Sequence, residues 1–112
     1  MYKNMGGFGG GNMQNLMRQA QKMQEQMQKQ LAEAEEKLQN TTLTATSGGG
    51  MVEVSITGDK RITDIKIKPE VVDPDDVEML QDLIVAGVNE AINQANELEK
   101  KLKGNGIGGG LF

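Results

Sequence analysis

From Val77 to Leu102 an apolar residue recurs at every third or fourth position without a gap: Val77, Leu80, Ile84, Val88, Ala91, Ala95, Leu98 and Leu102. Steps of 3, 4, 4, 3, 4, 3 and 4 place all eight on one stripe of an α-helix. At about 1.5 Å per residue the stripe makes a rod roughly 39 Å long. A small domain can satisfy such a rod only by laying its apolar side on a sheet or another helix. The start is marked by Asp73 as N-cap, Pro74 at the first helical position, and Asp75 and Asp76 at the positive end of the helix dipole. Gly87 within the stripe costs about 1 kcal/mol relative to Ala. With Ala91 and Ala95 it predicts a small-residue face that lets another backbone come close.

A second rod is predicted over residues 12–39. Leu16, Ala20, Met23, Met27, Leu31, Ala34 and Leu38 recur with a mean period of 22/6, or 3.67, residues. Gln, Glu, Lys and Met, all good helix formers, fill the positions between. This helix is too long to bury itself on a chain of 112 residues, so it projects or packs against a partner helix. Its methionines read as core or dimer packing in preference to a promiscuous groove.

Between the rods lie three short β segments. TLTAT (42–46) is Thr-rich, and MVEVSIT (51–57) alternates Val52, Val54 and Ile56 against Glu53, Ser55 and Thr57. RITDIKIK (61–68) follows a turn at Gly58-Asp59, and Ile62 is out of phase with Ile65, which places either a bulge or the turn between them. Gly48 to Gly50 read as a turn, and the Gly-rich ends, residues 1–11 and 104–112, as flexible tails. The expected fold is α+β, one domain over 12–103 in the order long helix, three-stranded antiparallel sheet, long helix. The sheet needs a cover and the helices overhang it, and pairing two copies answers both needs.

The chain contains no His and no Cys. Ser-His and Cys-His dyads, disulfides and thiolate or imidazole metal sites are therefore excluded, and no enzyme, cofactor or small-molecule substrate is expected. MYKNMGGFGG lacks a signal-peptide apolar run and nothing resembles a membrane span, so a cytoplasmic protein without a membrane partner is expected. Residues 104–109 match GxGxxG formally, but a dinucleotide loop follows a strand and opens a helix, and here a helix precedes it. Asp73, Asp75, Asp76 and Glu78 lack the spacing of a calcium loop and read as helix capping.

Twelve Lys and Arg against sixteen Asp and Glu give a net charge of −4, but the charges are segregated. Residues 69–99 hold nine acids and no base, followed by Lys100, Lys101 and Lys103. On the first helix Arg18, Lys22 and Lys29 fall within about 40° of one another, opposite the apolar stripe, with Glu25 in the same line. If the start of the first helix and the end of the second both lie distal to the sheet, these bases gather at helical tips and suit sequence-tolerant phosphate contact. Dipole complementation and ordinary solvation explain the same charges equally well. Tyr2, Phe8 and Phe112 all sit in the tails, so no base-stacking platform is expected.

NLMRQAQKMQEQMQ (15–28), GGGMVEVSITGDKRITDIKIKPE (48–70) and DDVEMLQDLIVAGVNEA (75–91) resemble the YbaB/EbfC family of nucleoid-associated proteins, in the family's order and over most of the chain. The resemblance implies a tweezer-like homodimer of helix–three-strand–helix protomers. It also implies duplex DNA binding with broad sequence tolerance and a part in nucleoid organisation or gene expression. By the same resemblance the DNA-contacting positions are Arg18, Lys22 and Lys29 on the first helical arm, with Lys100, Lys101 and Lys103 as a weaker group. Some relatives carry bases after the motif at Asn89-Glu90-Ala91, where this chain has Ile92, Asn93 and Gln94. A non-catalytic adaptor acting through Met23, Met27 and Leu31 on a partner helix is the alternative reading.

Overall fold

The computed structural model describes the backbone of residues 2–104 and the side chains of residues 12–104. The elements run α1 (Tyr2–Asn40), β1 (Thr42–Ser47), β2 (Val52–Thr57), β3 (Ile62–Ile67) and α2 (Val77–Lys103), in the expected order. α1 starts at Tyr2, ahead of the expected residue 12. The glycines there are poor helix formers, but a nucleated helix gains one hydrogen bond per added residue and runs through them. The side chains of residues 1–11 and residues 105–112, with most of the formal GxGxxG match, lie outside the described residues. The chain divides into two units, Met1–Glu33 and Ala34–Phe112.

In the first unit, every residue of α1 from Met13 to Gln30 is exposed. The apolar stripe shares this state: Leu16 is 60%, Met23 66% and Met27 50% exposed. These side chains are not core within the described residues.

The second unit holds the core. Its sheet has the order β1-β2-β3 with both pairs antiparallel. Register sets Leu43, Ile56 and Ile62 side by side, then Ala45, Val54 and Ile65, then Ser47, Val52 and Ile67, all on one face. Val52, Val54 and Ile56 are fully buried, as the alternation in β2 predicts. The pairing passes from Ser55 with Asp64 to Ile56 with Ile62, so Thr63 is the extra residue of a bulge. That bulge returns Ile62 and Ile65 to one face. β1 and β2 are joined by a 3-10 turn at Gly48–Gly50 with φ of 59°, 66° and 93°, values that glycine adopts without a Cβ clash.

α2 lies on β1 and β2 through the buried residues Gly87, Ala91 and Ala95. The small-residue face is present, and what comes close to it is the sheet's side chains, not a backbone. A Cβ on Gly87 would stand 3.0 Å from Val54 Cγ2 and 3.3 Å from the Ser47 hydroxyl oxygen. That hydroxyl donates to the Leu83 carbonyl at 2.6 Å. The helix start differs from the expectation by three residues. Asp76 is the N-cap, accepting from the Met79 N–H at 3.2 Å. Asp73 instead accepts from the Asp75 N–H, and the Asp76 N–H bonds back to the Asp73 carbonyl. Asp-Pro is also the signature of a tight turn, and here the turn precedes the helix. Ala34 and Leu38 at the end of α1 are buried in this unit, where the Gly58 N–H donates to the Thr41 carbonyl at 2.9 Å. β3 is left uncovered: Ile62 is 42% and Ile65 38% exposed.

Candidate nucleic-acid interface

Arg18, Lys22 and Lys29 are exposed on α1, and helical geometry sets them on one ridge opposite Leu16, Met23 and Met27. Lys22 and Lys29 flank a shallow depression shared with Glu25 and Gln26. Among the described residues, none of the three bases enters an ion pair. From Arg18 to Lys29 the ridge covers about 16 Å, the axial rise of roughly five phosphates on one DNA strand. Among the described residues of its own unit nothing packs over it, so its charges are solvated there.

The three lysines ending α2 do not form a second patch. At 100° per residue Lys100 and Lys101 diverge by about 100°, and Lys103 lies about 60° beyond Lys100 on the other side. Lys100 and Lys101 are exposed. The Lys103 ammonium donates to Glu35 of α1 at 2.5 Å and to Glu99 at 3.2 Å. Glu99 also accepts from Lys60 of the β2–β3 turn at 3.0 Å. The end of α2 is thus fastened against the turn and the end of α1, which corrects the expectation that it stands distal to the sheet. The reason is packing: the stripe of α2 is spent along the sheet, so its last turn stays beside it.

This chain of pairs, Lys60–Glu99–Lys103–Glu35, was not legible in the sequence beyond the helical spacing of Glu99 and Lys103. It moves both titrations. The Lys60 hydrogen bond, then that of Lys103, holds the Glu99 carboxyl below the usual range, and Glu35, then Glu99, raises the Lys103 ammonium. On β3, Lys66 approaches Glu53 at 3.9 Å, a cross-strand pair.

A three-stranded sheet joined to two long helices, one of which exposes an unpaired basic ridge, defines a small α+β binding protein suited to a polyanion. The profile of the YbaB/EbfC DNA-binding family matches residues 9–111. The chain belongs to that family, and DNA binding is its function. A nucleoid-associated protein of Ruminiclostridium cellulolyticum is 55% identical over 113 residues, covering 96% of this chain and 93% of its own. One from Agathobacter rectalis is 54% identical over 114 residues, covering 96% of each chain. The crystal structure of an uncharacterized Helicobacter pylori protein, HP0035, superposes with a TM-score of 0.70 at 31% identity, covering 81% of this chain and 96% of that one. Among the described residues no helix is long and apolar enough to cross a membrane.

Proposed function

We propose that the protein acts in the nucleoid as a non-catalytic homodimer that binds duplex DNA through phosphate contacts from Arg18, Lys22 and Lys29. Lys100 and Lys101 are the supplementary contacts in this reading, and Lys103 is assigned to fastening α2. The observation that carries it is the exposed ridge of three bases that, among the described residues, enter no ion pair, in a member of a DNA-binding family. The names of the relatives support the nucleoid as the place of action. Contacts to phosphate carry no sequence information, which gives the broad tolerance expected of such binding.

Pairing of two copies is supported by apolar surface left open in the second unit. Ile62 and Ile65 on β3 are exposed, as is Val85 on α2 at 57%. Val85 shares a flank of the helix with Val88 and Ile92, which pack on the edge of the core. The same flank carries Glu99, which meets the β2–β3 turn, so it is turned toward β3. A second copy covering this surface would complete the core. The exposed Leu16, Met23 and Met27 favour a second reading, an adaptor that takes a partner helix.

Titration of an arbitrary-sequence duplex against the protein at rising salt separates the two. Phosphate contact gives affinity that falls steeply with salt, and an Arg18→Ala/Lys22→Ala/Lys29→Ala variant that binds all duplexes more weakly. Affinity unchanged in that variant would remove the ridge from the interface. Absence of duplex binding at low salt would shift the function to the adaptor.

A further inference from the structure

The two edges of the sheet are unlike. β3 carries Asp64 and Lys66 and a bulge, three devices that discourage another strand from pairing. β1, TLTATS, has no charge, no proline and no bulge. Among the described residues its outer row of N–H and C=O groups has no partner strand, since the order is β1-β2-β3. An unprotected edge is a template for strand addition.

α2 overlooks this edge and makes it a groove. Leu43 of β1 and Leu98 of α2 give it an apolar lining, and Glu90, Gln94, Glu97 and Lys101 stand along its helical wall. Glu90 and Glu97 are exposed, and among the described residues neither enters an ion pair. Seven residues of helix separate them by about 10.5 Å. Inward-facing side chains four residues apart on a strand are about 13 Å apart, a difference a flexible lysine spans. Lys101, one turn beyond Glu97, closes that end of the wall to a further base.

We propose that the groove between β1 and α2 receives an extended basic peptide as a fourth strand, with two bases four residues apart meeting Glu90 and Glu97 and an apolar residue between them over Leu43 and Leu98. Main-chain pairing with β1 supplies the affinity, and the two carboxylates select the charge of the partner. The site is on the flank of α2 opposite Val85 and Ile92, so it is separate from the surface proposed for the pairing of copies.

The test uses the full chain and a fluorescein-labelled, amidated heptapeptide, Thr-Lys-Thr-Val-Thr-Lys-Thr, with anisotropy as the readout. Saturable binding is expected, together with new hydrogen-exchange protection of β1 amides. The Glu90→Gln/Glu97→Gln variant should bind at least about tenfold more weakly. A peptide N-methylated at alternate residues, tested in both registers, should lose binding when the methylated amides are those that face β1. Three results overturn the proposal: no binding of the parent peptide up to about 1 mM, equal binding by both methylated registers, or equal affinity in the double variant. If β1 amides are already protected without peptide and the peptide fails to bind, the occupant is a second copy, which also overturns it.

Discussion

Gly87 and Val54 set how closely the second helix lies on the sheet: a Cβ added at Gly87 would come within 3.0 Å of Val54 Cγ2. Glycine is a poor helix former, and the position is one where the helix gives up local preference for contact with β2. Gly87→Val should therefore destabilise the fold by about 1–3 kcal/mol through overpacking, read as a lower urea midpoint. An unchanged midpoint would mean that α2 can lift off the sheet at no cost.

The cap predicts a contrast between neighbouring acids. Asp76 satisfies the Met79 N–H at the helix start, and Asp73 satisfies only the Asp75 N–H of the preceding turn. Asp76→Ala should cost about 1 kcal/mol, more than Asp73→Ala, with Asp76→Asn close to the parent chain. Equal losses on denaturation would place the true cap at the turn.

The ion-pair chain predicts a pH dependence of stability. Glu99 is held below its ordinary range in the folded state by Lys60 and Lys103. Its contribution is therefore complete above the unfolded value of about 4.3 and drains away as pH falls through the folded value. The Lys103 ammonium is raised, so its share is complete below about 10.4 and is lost as pH rises through the folded value. Glu99→Gln should flatten the acid limb of a plot of urea midpoint against pH, and Lys103→Met both limbs. Parallel curves for variant and parent would show that the pairs form no better folded than unfolded.

For DNA, each neutralised phosphate contributes about 0.9 to the slope of log affinity against log salt. Removing Arg18, Lys22 and Lys29 together should lower that slope by about 2.7 if each meets one phosphate. Glu25 lies in the ridge beside Lys22 and Lys29, so Glu25→Gln should tighten binding and steepen nothing. Weaker binding by Glu25→Gln would argue for base or sugar contact there.

The open β3 surface gives a fifth expectation, under the homodimer reading. Ile65→Lys, at a position already 38% exposed, should shift sedimentation from dimer to monomer while far-UV circular dichroism is kept. A dimer that persists would move the interface elsewhere.

What the sequence revealed and what it hid divide by physical cause. Period and alternation are local, and they located α2 and the buried row Val52-Val54-Ile56 and marked the break in phase before Ile65, which the strand register resolves as a bulge. The ridge of Arg18, Lys22 and Lys29 was legible for the same reason, because a helix fixes the angles between its own side chains. The cap was misplaced because Asp73-Pro74 fits a turn and a helix start alike, and only the backbone chooses. The end of α2 was misplaced because periodicity says which face is apolar but not what that face meets. Lys103 therefore read as a free base, although it bridges Glu35 and Glu99, which are 64 positions apart in the chain. The groove beside β1 escaped notice because Leu43, Glu90 and Glu97 converge only through tertiary packing.

Thr63 is the residue by which β3 exceeds the stretch of β2 it faces. In a regular strand, losing one residue turns every side chain beyond the loss to the other face. Here a deletion of Thr63 leaves Ile62 two positions from Ile65, the spacing of an unbroken strand, so Ile62 and Ile65 keep their common face. Of the described strands, β3 is the one that can shorten by a single residue without being turned inside out, a built-in allowance for changes in length that neither β1 nor β2 possesses.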